Sequence, residues 1–71
     1  MSYKGIFGRR LKKLREKNNI TQKGLSRSLG VSQQAITWWE SGRRFPNGKS
    51  LIEIADYFNT SIDYMVGRLD K

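Results

Sequence analysis

Apolar residues recur at helical spacing along most of the chain. Phe7, Leu11 and Leu14 fall at i, i+4 and i+7, which predicts a first helix over Ile6 to Asn18 with Ile20 turned inward after it. Leu25 and Leu29 lie four apart on one face of a short second pattern. In a third, Ala35, Ile36 and Trp39 share one arc, while Gln33, Gln34, Thr37 and Trp38 share the opposite one. The cleanest amphipathic stretch is residues 48–58, where Leu51, Ile54, Ala55 and Phe58 face one way and Glu53 and Asp56 the other. Ile62 to Val66 predicts a short last helix that ends at Gly67. Residues 1–5 read as a flexible leader and residues 68–71 as a flexible tail, which leaves one domain over residues 6–67.

Polar residues punctuate these runs where helix ends require them. Thr21, Ser32, Asn47 and Ser61 each precede a helical pattern and can cap it with a side-chain oxygen. Gly30 and Gly42 follow helical patterns at the place where a left-handed residue is wanted, and Pro46 blocks any continuation. Two short helices joined through Leu29-Gly30-Val31 leave no room for a wandering loop. That arrangement is a helix-turn-helix.

The outward arc of the third helix has unusual chemistry for a solvated face. It carries two glutamines and almost no charge. A glutamine amide has a coplanar donor and acceptor that match the N6 and N7 edge of adenine. Thr37 adds a hydroxyl, and a methyl group able to meet the thymine methyl. The plainer alternative, that Gln33 and Gln34 are helix formers in water, stays open on the arc alone.

Charge changes the picture. The 71 residues carry a net charge of +8. Residues 1–49 hold 12 lysines and arginines against 2 acids, a net +10, whereas residues 50–71 hold 2 against 4, a net −2. An excess confined to one part of the chain suits a polyanion. Thr21 and Gln22 start a helix whose positive end suits a phosphate oxygen, and Arg43 and Arg44 sit on the loop just past the third helix. The chain has no cysteine and no histidine, so disulfides, thiolate metal sites and the commonest general base are absent. Glu53 and Asp56 have no third carboxylate nearby and read as a solvated face rather than a metal site. No metal or cofactor is expected. No apolar run approaches the roughly 18 residues of a membrane span, and Arg9-Arg10 precede any signal-like segment, so a cytoplasmic protein that does not enter membranes is expected.

The order and spacing of these features resemble the Cro and repressor helix-turn-helix family of lambdoid phages, also called the xenobiotic-response-element (XRE) family. The resemblance spans about residues 6–67. It rests on the basic, leucine-rich first helix, Thr21-Gln22-x-x-Leu25-Ser26, Leu29-Gly30-Val31-Ser32, Trp39-Glu40-x-Gly42, Pro46, Leu51 to Phe58 and Ser61 to Gly67. It implies an all-α, five-helix, lambda-repressor-like domain whose third helix enters the DNA major groove. By position, Gln33, Gln34, Thr37 and Trp38 would read bases. Gln22, Arg43 and Arg44, with the capping residues Thr21 and Ser32, would hold phosphates. Arg15 and Glu40 occupy the places of an internal brace between the first and third helices. Members of the family usually bind as dimers, often through the last helix, where Ile62, Tyr64 and Met65 stand; the plainer reading is that these three fill the core, and Ile62 and Met65 fit it better. Two positions depart from the family pattern. Trp38 replaces a polar residue and either contacts thymine methyls or sugar, or packs on the Arg43-Arg44 loop. Ser26 replaces an alanine at the helix crossing, where its hydroxyl can bond the carbonyl one turn back.

The expected function is therefore sequence-specific binding of double-stranded DNA by a transcriptional regulator, a repressor acting by occupancy, as a homodimer at least on a palindromic operator. The alternative is a protein-interaction module, antitoxin-like or an accessory subunit, with only weak DNA binding. Outward glutamines argue against it, because a protein-binding face is normally more apolar. A single-strand RNA reader needs exposed aromatics, and only Trp38 fits. An enzyme is disfavoured because no usual nucleophile–base pair can be assembled. With no ligand-binding segment expected after residue 67, a signal would act through concentration, dimer exchange or a partner.

Overall fold

A side-chain oxygen starts each helix. Ser2, Thr21, Ser32, Asn47 and Ser61 each accept a hydrogen bond from the backbone amide three residues further on. Such a bond satisfies one of the otherwise unpaired first-turn amides and is worth about 1 kcal/mol. The computed structural model describes residues 2–70, and among them the helices are α1 (Tyr3–Lys17), α2 (Gln22–Leu29), α3 (Gln33–Ser41), α4 (Gly48–Tyr57) and α5 (Ile62–Val66), with no strand.

The turn between α2 and α3 depends on Gly30. Its φ of 67° lies in the left-handed region, where a Cβ is penalised, and its amide closes onto the Arg27 and Ser26 carbonyls. Val31 then donates to the Ser26 carbonyl at 3.0 Å, and Ser32 begins the next helix. α2 therefore ends and α3 begins within three residues.

All five helices supply the core. Phe7 and Leu11 come from α1, Leu25 from α2, Ile36 and Trp39 from α3, Ile54 from α4 and Met65 from α5. Leu14, Ile20, Leu29, Val31, Phe45, Leu51, Phe58 and Tyr64 are among the half-buried residues that close it. Burying each large side chain contributes about 1.5–3 kcal/mol, so every helix is held by at least one such contact. Ser26 is buried at the α2 crossing, and its hydroxyl donates to the Lys23 carbonyl at 2.7 Å.

The ends of the chain differ from the expectation. Residues 3–5, read as leader, are the first turn of α1, capped by Ser2. The Tyr3 ring packs edge-on against Phe45 at 5.0 Å, and Phe45 packs against Phe7 at 5.2 Å. At the other end, the amides of Arg68 and Leu69 donate to the Asp63 carbonyl at 2.8 and 3.2 Å. Arg10 reaches across from α1, donating through Nη1 to the carbonyls of Tyr64 and Leu69, with its guanidinium 4.3 Å from the centre of the Tyr64 ring. Arg68 and Leu69 are thus bonded to the domain. Met1 and Lys71, the outermost residues of the expected leader and tail, lie outside the described residues.

Candidate nucleic-acid interface

The outward arc and the core arc of α3 divide as the helical period requires. Ile36 and Trp39 are buried, whereas Gln33, Gln34 and Thr37 are exposed. Trp38 is half-buried at the boundary. The Arg44 guanidinium lies 4.5 Å from the centre of its ring, so the indole packs on the loop that follows α3. The amides of Arg43 and Arg44 also donate to the Trp38 carbonyl, at 3.0 and 3.4 Å. The loop is thereby folded onto the end of the helix, with both arginines exposed. Phe45 anchors the same loop from behind through Tyr3 and Phe7.

The orientation of α3 is set by a polar chain that crosses three helices. Arg15 Nε donates to Glu40 Oε2 at 2.6 Å and Nη2 donates to Oε1 at 3.1 Å. Its Nη1 donates to the Ile20 carbonyl at 2.9 Å, which ties the α1–α2 connection to the same group. The two side chains are only 12% and 5% exposed, so the pair is weakly screened. The hydrogen bond to Glu40 raises the Arg15 pKa above the ordinary guanidinium value, against the opposing effect of burial. Gln22 Nε2 donates to Glu40 Oε1 at 3.0 Å, and Thr37 Oγ1 donates to Gln22 Oε1 at 3.1 Å.

That chain changes the picture of Gln22. Expected to reach out to a phosphate, its amide also braces the domain: one N–H donates to the Glu40 carboxylate and the carbonyl accepts from Thr37, while an NH2 group carries a second donor hydrogen. The capping residues Thr21 and Ser32 are exposed, and each side-chain oxygen accepts an amide bond, from Gly24 at 2.9 Å and Ala35 at 3.0 Å.

The three residues considered for a dimer contact separate. Met65 is fully buried and belongs to the core, so it has no surface to offer a second copy. Tyr64 is half-buried beneath Arg10. Ile62 is 37% exposed and does not fill the core.

Gly8 escaped the sequence reading. It is buried where α1 crosses the end of α3, and a Cβ there would stand 2.6 Å from the carbonyl oxygens of both Trp39 and Glu40. Glycine at this position lets the backbone of α1 approach α3 closely enough for Arg15 to reach Glu40. A glycine inside a helical pattern, followed by a basic run, was the available signal.

Fold and surface together define a helix-turn-helix domain. A family model described as helix-turn-helix matches residues 11–65, and the chain belongs to that family. Among curated relatives, the HTH-type transcriptional activator BcrR of Enterococcus faecalis is 42% identical over 60 residues, covering 84% of this chain and 29% of that protein. Repressor protein C2 of Salmonella phage P22 is 34% identical over 61 residues, covering 86% of this chain and 28% of that one. The uncharacterized regulator YazB of Bacillus subtilis is 34% identical over 58 residues, covering 82% of this chain and 84% of its own length. The chain thus spans less than a third of BcrR and C2. Among solved structures, the P22 c2 repressor in complex with a synthetic operator superposes with a TM-score of 0.79 at 36% identity, covering 83% of this chain and 89% of that chain. A LexA SOS-response repressor from Eubacterium rectale gives a TM-score of 0.84 at 32% identity, covering 89% of this chain and 67% of that one.

Among the described residues, no helix is long and apolar enough to cross a membrane, and no group of three or more metal-ligating side chains occurs.

Proposed function

We propose that this protein is a transcriptional regulator that binds double-stranded DNA sequence-specifically, with α3 in the major groove, and acts by occupying its operator. The observation that carries this reading is the exposed Gln33, Gln34 and Thr37 on a helix whose opposite arc is locked into the core. The uneven charge supports a polyanionic partner, and the P22 c2 neighbour was solved on a synthetic operator.

In this reading Gln33 and Gln34 present amides to base edges. Arg43 and Arg44 take flanking phosphates, Arg44 from its exposed place over the Trp38 ring. Thr21 and Ser32 accept with a lone pair inside the domain and keep a hydroxyl hydrogen for a phosphate oxygen. The Arg15–Glu40 pair fixes the angle at which α3 is offered, and Gln22, tied to Glu40 by one amide N–H, gives the other to a phosphate oxygen. The relatives include a named activator and a named repressor.

Two copies are proposed to bind a palindromic operator with half-sites about one helical turn, ~34 Å, apart, through an α5 surface that includes Ile62. Selection of bound sequences from a random duplex pool at physiological salt tests the whole reading. The expected result is an enriched palindrome; recovery of unenriched DNA would overturn it.

A further inference from the structure

The bonds that connect α2 to α3 have a fixed direction. Arg15 can only donate, and it points two N–H groups at the Glu40 carboxylate. Glu40 can only accept, so the end of the Gln22 amide 3.0 Å from its Oε1 is the NH2 end. Reversing that amide would set a carbonyl oxygen against a carboxylate in a half-buried site. The Gln22 carbonyl oxygen is thereby turned toward Thr37, 3.1 Å from its hydroxyl. The Gln33 main-chain carbonyl lies 3.2 Å from the same hydroxyl. Threonine has one hydroxyl hydrogen, and both of these neighbours are acceptors. The hydrogen is therefore taken by an acceptor of the domain itself, and what the exposed Thr37 oxygen has left to offer is lone pairs.

We infer that Thr37 determines specificity as a hydrogen-bond acceptor, taking the exocyclic amine of adenine or cytosine in the major groove. This rests on the proposed reading of DNA by α3 and adds the polarity of one contact to it. The major groove offers few donors: adenine N6 and cytosine N4, against acceptors at purine N7, guanine O6 and thymine O4. A freely rotating threonine hydroxyl would take either kind. With its hydrogen occupied, Thr37 discriminates against the acceptors. Adenine serves it best, because the paired thymine puts a methyl group on the same groove edge, within the neighbourhood of the Thr37 methyl.

The test uses the full chain and a duplex that it selects from a random pool. Single adenines are replaced by purine and single cytosines by 2-pyrimidinone, each change removing one exocyclic amine. Parallel duplexes carry 7-deazapurines, which remove the N7 acceptor. Affinities are compared for the wild type, T37V and T37S, so that changes in the free duplex cancel. Wild type and T37S should lose about three- to tenfold at one particular amine per half-site, the scale of one hydrogen bond. T37V, weaker at the outset, should lose nothing further there. Coupling of the Thr37→Val loss to an N7 atom, or to no amine at all, overturns the inference. T37S keeps the hydroxyl on a smaller side chain, and a melting temperature for each variant separates lost recognition from lost fold. If the wild type selects no sequence, the DNA-reading proposal itself fails and this inference falls with it.

Discussion

The Arg15 guanidinium holds both oxygens of the Glu40 carboxylate, with Nε 2.6 Å from Oε2 and Nη2 3.1 Å from Oε1. The pair joins α1 to the last turn of α3, on the same helical stripe as Gln33 and Thr37, two turns and one turn earlier. Removing one partner leaves the other charged and largely desolvated. Arg15→Ala should therefore cost about 3 kcal/mol in chemical denaturation, and an Arg15→Met/Glu40→Leu double variant should recover most of that. The raised Arg15 pKa also fixes a sign. A group whose pKa is higher in the folded state loses its contribution only as pH rises through that value. The Arg15 contribution should be unchanged over about pH 6 to 10 and disappear only in strong alkali.

Gly8→Ala tests the close approach of α1 to α3. On an exposed helix this exchange would stabilise by up to about 1 kcal/mol. Here the new Cβ would meet two backbone oxygens at 2.6 Å, and backbone cannot swing aside as a flexible side chain can. A net loss of about 2 kcal/mol is expected in urea unfolding. Gly48→Ala is the control, since nothing lies within 4 Å of its Cβ position in the first turn of α4. It should be neutral or stabilising.

At the α2–α3 turn, Gly30→Ala has open space around it but a φ of 67°. Its cost should be the left-handed backbone penalty alone, about 1–2 kcal/mol. Gly30→Asn should cost less, because asparagine tolerates that region. Equal thermal stability of the alanine variant and the wild type would mean that the turn can relax.

Arg43→Ala separates phosphate contact from base reading. Affinity for all duplexes should fall by a similar factor, and the slope of log K against log salt should flatten by about 0.9 for the lost phosphate contact. An unchanged slope would place Arg43 away from the backbone.

The limits of the helices were legible because caps are local chemistry. Thr21, Ser32, Asn47 and Ser61 act on amides three residues away, and Gly30 and Gly42 adopt the backbone their positions demand. What the sequence hid depends on contacts between distant segments. Tyr3 looked like part of a leader because its partner, Phe45, lies in the α3–α4 loop. Leu69 looked loose because nothing in its pattern points to Arg10, more than fifty residues earlier. The bond from Gln22 to Glu40 was hidden because the carboxylate reaches that amide only after α1 has positioned it. In the outward face of α3, helical periodicity was enough to separate Gln33, Gln34 and Thr37 from Ile36 and Trp39. Periodicity could not reveal which way the Thr37 hydroxyl points.

The central claim is that exposed amides at the start of α3 read bases. It is tested most directly by measuring Gln33→Ala against wild type on the selected duplex and on a random duplex of equal length, at one salt concentration. The account predicts a loss of about 1–3 kcal/mol on the selected duplex and almost none on the random one. An equal loss on both would contradict it.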